Sequence, residues 1–123
     1  MKNFLLVFIG GGFGSGLRYL ISNLMNQYSK VLPFGTFTVN MFGCLLIGLV
    51  LGFAQKENVL STNQTLLLAT GFCGGFTTFS AFANENLELL RNGELFNFSL
   101  YLFSSIFIGI ILVYIGYFTA SKI

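Results

Sequence analysis

The sequence predicts an all-α integral membrane domain of four helices, the third of them broken near mid-membrane. Three observations carry this. Of the 123 residues, 54% are hydrophobic and 8% charged, whereas a soluble domain carries roughly 25% charged residues. Four long apolar stretches alternate with short polar links, and each can supply the ~20 mainly apolar residues that a span requires. The third stretch holds Gly71, Gly74, Gly75, Thr77 and Thr78, residue types that weaken a helix locally. The whole chain, 1–123, reads as one transmembrane domain with no room for an extramembrane one.

Segment one spans about 4–25. It is too long and too Gly-rich for a signal peptide and lacks a convincing cleavage site. Polar residues from Asn26 to Lys30 follow it. Pro33 opens segment two, which spans about 33–55. The link Lys56-Glu57-Asn58 leads to segment three, about 60–90. Thirty residues at ~1.5 Å each give ~45 Å, against a hydrocarbon core of ~30 Å. Segment three therefore either protrudes or is interrupted, and the Gly/Thr cluster places the interruption at 74–78. Arg91-Asn92-Gly93-Glu94 is a turn, and segment four spans about 95–120. Glycines four apart, Gly10/Gly14, Gly12/Gly16 and Gly48/Gly52, let helix backbones approach closely. Four spans cannot enclose a generous aqueous lumen. An oligomer with pathways at or beside its subunit interface is the expected route for any transport.

Several functions are excluded or disfavoured. A net charge of +2 gives no basis for a nucleic-acid partner, and the chain has no His, so imidazole metal sites and His proton relays are absent. Cys44 and Cys73 lie inside apolar stretches and read as small apolar side chains. No nucleophile pairs with a base and no phosphate-binding loop is present, so the chain is not read as an enzyme. With four spans, Lys2, Lys56 and Lys122 share one side and Lys30 and Arg91 the other. Three against two gives almost no positive-inside instruction, which leaves dual insertion and a fixed orientation both open.

The remaining polar residues are few. Arg18 lies deep in segment one; it either serves a functional site or snorkels to the interface. Asn40 lies inside segment two and either bonds another helix or offers its NH2 group to an anion. The break frees backbone groups that survive at membrane depth only when protein, water or an ion satisfies them. Such breaks mark ion sites in several transporter folds. Freed carbonyls are hard oxygen ligands suited to a hard cation. Thr77, Thr78 and Ser80 add hydroxyls. Phe79 and Phe82 share a helix face just past the break, where positive ring edges can accommodate an anion; packing is the plainer role. Glu85 and Glu88 follow, Glu85 placed to cap or bridge. Tyr101, Ser105 and Gly109 recur every four residues on segment four, as a stripe for either interhelical bonding or pore lining. Nearly all the donors are neutral, which favours a small ion stripped of water.

Three blocks then carry a resemblance over essentially the whole chain: Gly10-Gly11-Gly12-Phe13-Gly14-Ser15-Gly16-Leu17-Arg18-Tyr19, Pro33-Phe34-Gly35-Thr36-Phe37-Thr38-Val39-Asn40, and Gly71-Phe72-Cys73-Gly74-Gly75-Phe76-Thr77-Thr78-Phe79-Ser80-Ala81-Phe82. In their order and spacing the chain resembles the Fluc (CrcB) family of fluoride channels. The resemblance implies an antiparallel, dual-topology homodimer in a bacterial inner membrane, with two fluoride pathways that export the ion passively. It implies a structural sodium ion held by the Gly74 and Thr77 carbonyls of both subunits. Phe79 and Phe82 would form an aromatic box with Asn40 beside it. Thr78, Ser80, Tyr101 and Ser105 would line the pathway, and Arg18 would sit toward the vestibule. Two departures stand out: Ala81 replaces the second Thr of the usual Thr-Phe-Ser-Thr-Phe, and Gly109 brings no hydroxyl where some relatives have one. A small dual-topology multidrug exporter is the alternative, but segment one lacks the membrane-embedded Glu on which those proteins depend. A purely structural protein leaves the break, Asn40 and Arg18 without a purpose.

Overall fold

The computed structural model describes every residue, Met1–Ile123. Four helices are long and apolar enough to cross a membrane: α1 (Lys2–Asn26), α2 (Phe34–Ala54), α3 (Thr62–Arg91) and α4 (Leu95–Lys122). The links between them are short, so consecutive helices run antiparallel.

α3 is the irregular element. Ser61 opens it with a capping box: its Oγ accepts from the Gln64 N–H at 3.2 Å, and Gln64 Oε1 accepts from the Ser61 N–H at 2.8 Å. The two bonds satisfy N–H groups that a helix start leaves orphaned. Leu66–Cys73 then widens into π-helical winding before Gly74–Phe76 returns to an α turn. Thr77 (φ −85°, ψ 158°) and Thr78 (φ −148°, ψ 120°) are extended. The helix restarts at Phe79, with Thr78 Oγ1 accepting from the Ala81 N–H at 3.2 Å as its cap. At the far end, the Gly93 N–H bonds the Leu90 carbonyl and the Glu94 N–H bonds the Leu89 carbonyl. Gly93 has φ +73°, so this is a Schellman stop built on the one residue type that enters the left-handed region freely.

The anticipated interruption is therefore present, but it lies at the C-terminal end of the expected window. Gly74 and Gly75 stay helical, and the unwound residues are Thr77 and Thr78. The glycines serve close approach instead: a Cβ on Gly75 would lie 2.4 Å from the Gly11 carbonyl oxygen.

Two seams organise the bundle. α1 packs on the first half of α3, and α2 packs along α4. Both are sewn by glycine. A Cβ on Gly14 would meet the Phe72 carbonyl at 2.2 Å, and one on Gly48 the Val113 carbonyl at 2.2 Å. Gly12 and Gly16, on the opposite face of α1, meet nothing in the chain. Only 20 of 123 residues are buried, and Phe4, Phe8, Phe103 and Phe107 are among the many exposed apolar side chains. Lipid or another chain must cover that surface. The second half of α3 contributes a small apolar core in which Phe82, Leu89 and Tyr101 meet.

Candidate ion pathway at the break in α3

Interrupting a helix orphans carbonyls on one side and N–H groups on the other. The last backbone bond of the first half is Thr77 N–H to the Cys73 carbonyl, 3.0 Å. Beyond it, side chains take over. In a continuous helix the Thr78 N–H would bond the Gly74 carbonyl; here it donates to Asn40 Oδ1 at 2.8 Å. The Ala81 N–H would bond the Thr77 carbonyl; here it goes to Thr78 Oγ1. Asn40 completes a two-bond clamp by donating from Nδ2 to the Thr78 carbonyl at 3.1 Å. Arg18 Nε donates to the Gly75 carbonyl at 3.0 Å. The carbonyls of Gly74, Phe76 and Thr77 receive no hydrogen bond across the break.

The clamp shows Asn40 bonding another helix, the first of the two roles open to it. Its amide ties α2 to α3, and because an amide nitrogen carries two N–H groups, one is still free. A cleft of about 400 Å³ opens beside it, lined by Asn40, Gly74, Thr77, Thr78, Phe79, Phe82 and Ser105 among others. Phe79 is 80% exposed, whereas Phe82 is buried; their ring centroids lie 5.8 Å apart in a tilted arrangement. The Phe82 ring also packs on Tyr101 at 5.1 Å. Ser105 Oγ is buried and has no partner in the chain, which leaves its hydroxyl free to serve an occupant of the cleft.

The other expected residues are placed differently. Ser80 is exposed and its Oγ lies 3.3 Å from Thr78 Oγ1. Tyr101 lies outside the cleft lining. Its hydroxyl donates to Glu85 Oε2 at 2.7 Å, so the phenol proton is already committed. Arg18 reaches the break itself.

Sequence reasoning passed over Thr36, whose hydroxyl donates to Glu85 Oε1. Glu85 thus holds α2 through Thr36 and α4 through Tyr101, one turn beyond the aromatic pair. A signal existed: Thr36 is four residues before Asn40 and so shares its face, and Glu85 is three after Phe82.

The family profile described as CrcB-like protein, Camphor Resistance (CrcB) matches residues 5–117. The chain belongs to the CrcB family. A relative from Flavobacterium psychrophilum is 42% identical, covering 100% of both chains. One from Methylobacillus flagellatus is 45% identical over 95% of this chain and 93% of its own. One from Oceanobacillus iheyensis is 46% identical over 94% and 89%. Each of these CrcB relatives bears the name fluoride-specific ion channel FluC. Asn40, the broken α3 and the Phe79–Phe82 pair all lie inside the matched region.

Proposed function

We propose that this protein is a passive fluoride channel of a bacterial inner membrane. One observation carries the reading: the cleft at the break gathers donors that are neutral yet unspent. These are the second N–H of Asn40, the unpartnered Ser105 hydroxyl and the edge of the exposed Phe79 ring. Stripping a strongly hydrated halide requires several close donors in place of its water shell. Neutral donors supply them without the deep well that a fixed cation would create. Thr78 and Ser80, whose hydroxyl oxygens lie 3.3 Å apart, extend the hydroxyl row.

The working unit is an antiparallel, dual-topology homodimer. Gly74 and Phe79 are exposed at membrane depth, and carbonyls without partners are not tolerated against lipid; a second copy would cover them. The near-even loop charges favour both orientations. Labelling of a loop cysteine from one side only would count against this.

A sodium ion belongs to the same reading. The Gly74 and Thr77 carbonyls are hard oxygens left without donors, a donor set that fits a hard monovalent cation. Bound there, the ion would neutralise the exposed helix end. The chain's own part is to hold the two carbonyls free, through the Asn40 clamp and the Thr78 cap. Arg18 supplies the one fixed cation near the pathway.

The test is ion efflux from proteoliposomes, with fluoride against chloride, in sodium and sodium-free media. Fluoride is expected to leave and chloride to stay. Replacing Phe79 and Phe82 with Ile removes two aromatic contacts worth ~1 kcal/mol each, or roughly thirtyfold in rate. Equal fluoride and chloride efflux would overturn the reading, and unchanged efflux in the double variant would remove the aromatic box from it.

A further inference from the structure

We propose that Arg18 is a positioning residue: it caps the first half of α3 and thereby holds the break open. The register of α1 sets this up. Gly10, Gly14 and Arg18 recur every four residues, so they share one face. That face descends along α3 in step. Gly10 abuts Leu67, Gly71 and Phe72, and Gly14 abuts Phe72 and Phe76. One turn further, where the helix has stopped, the glycine series ends and an arginine reaches across. Its Nε donates to the Gly75 carbonyl at 3.0 Å.

That carbonyl is an orphan of the break. Its helical donor would be the Phe79 N–H, which belongs to the second half of α3 and forms no bond across the gap. Arg18 thus does for Gly75 what Asn40 does for Thr78, from a different helix. A cation is also the right cap here. The first half of α3 ends at Phe76 with its carbonyls pointing into the gap, and a helix C-terminus carries partial negative charge. Arginine suits the task better than lysine, because one fixed N–H can be spent on the carbonyl while the rest of the planar group keeps its charge and donors. The four N–H groups on the terminal nitrogens have no acceptor in the chain, so the cap and a charge offered to the vestibule coexist. α1 crowds Gly75 at a second point as well, since a Cβ there would run into the backbone of Gly11. Pinning Gly75 fixes the peptide next to Gly74, whose carbonyl stays unpaired.

The experiment compares R18A, R18Q and R18K in the full-length protein reconstituted into liposomes. Labelling glycine with carbonyl 13C and phenylalanine with 15N restricts the solid-state NMR signal to Gly12, Gly52, Gly71 and Gly75, the glycines followed by Phe. In R18A the Gly75 carbonyl signal is expected to move while those of Gly12 and Gly52 stay. Fluoride efflux is expected to fall roughly tenfold to a hundredfold, the worth of one hydrogen bond to a charged group. R18Q keeps a neutral donor and is expected to lie between R18A and the parent in both readouts. Should R18A fail to fold, R18Q and R18K decide alone. Efflux loss that tracks Gly75 displacement across the variants supports the cap. Efflux loss with the Gly75 signal unmoved, or a moved signal with full efflux, overturns it. The efflux arm rests on the channel reading and the carbonyl arm does not, so a parent protein without fluoride efflux would sink that reading and leave the contact measurable.

Discussion

The two seams of the bundle use the same device to different ends. Between α2 and α4, glycines let two unbroken helices touch: Gly48 and Gly52 face Val113 and Tyr117, and Gly116 faces Leu45 and Leu49. Neither helix is interrupted there, and the one interhelical side-chain bond in that seam, Tyr117 to Gln55, lies at its end. Between α1 and α3, glycines again bring backbones together, but α3 is interrupted. Some of its free groups are met by Asn40, Thr78 and Arg18 from three different helices, while the carbonyls of Gly74, Phe76 and Thr77 are left without donors. The first seam is a brace whose energy lies in contact. The second is a site, in which contact positions polar groups that the backbone has given up. Damage to the first should abolish the fold, and damage to the second should abolish conduction before it abolishes the fold.

The largest expected effect tests the brace. Gly48→Val would drive a branched side chain into the Val113 carbonyl, 2.2 Å from the new Cβ. Overpacking of this kind costs ~3 kcal/mol or more where the obstacle is backbone. The variant is expected to aggregate on extraction or to lose its sharp thermal transition in detergent. Gly12→Val, whose Cβ meets nothing in the chain, is expected to keep the α2–α4 seam and a cooperative thermal transition. A stable Gly48→Val would show the α2–α4 seam to be loose, and the comparison would fail.

An intermediate effect tests the site. Asn40→Asp is nearly isosteric and still accepts from the Thr78 N–H. It replaces the amide donor with a carboxylate oxygen facing the Thr78 carbonyl, now 3.1 Å from Nδ2. Neither oxygen can donate, so a part-buried pair is left unsatisfied at a cost of ~2 kcal/mol. The negative charge also repels an anion in the cleft. Fluoride efflux is expected to disappear while the protein still elutes as a folded species and melts cooperatively. Full efflux in this variant would mean that the clamp is dispensable.

How much of this was legible beforehand follows from the kind of interaction involved. The four spans and their approximate limits follow from hydropathy, which is local. So does the existence of a weak point in segment three, since Gly and Thr content is local too. The exact unwound residues are not, because Thr78 is held extended by Asn40, 38 residues away. Local propensity pointed to Gly74 and Gly75, yet these remain helical, because the absence of a Cβ is used there for the approach of Gly11. The partner of Arg18 was equally hidden: one charged residue in an apolar helix signals a function, but only the crossing of α1 over α3 identifies the carbonyl it meets. The Gly10, Gly14, Arg18 spacing was visible throughout and becomes meaningful once Gly10 and Gly14 are seen to follow α3.

The smallest effect is expected at Glu85, and it sharpens the distinction between rigid and adaptable partners. Its two oxygens accept from the hydroxyls of Thr36 and Tyr101. Glu85→Gln exchanges one acceptor for an NH2 group, formally the same exchange as Asn40→Asp in reverse. The outcome differs because a hydroxyl both donates and accepts. Thr36 can rotate its hydrogen away and accept from the new amide, whereas the Thr78 carbonyl has no such freedom. What is lost is the charge assistance of two bonds, ~1 kcal/mol in all, and the thermal midpoint is expected to fall by only about 3–5 °C. Tyr101→Phe supplies the control: it deletes the donor outright and leaves Glu85 Oε2 unpaired, so it should cost more than Glu85→Gln. If Glu85→Gln proves the more damaging of the two, the carboxylate charge matters in itself, and Glu85 would join the site rather than serve as its support.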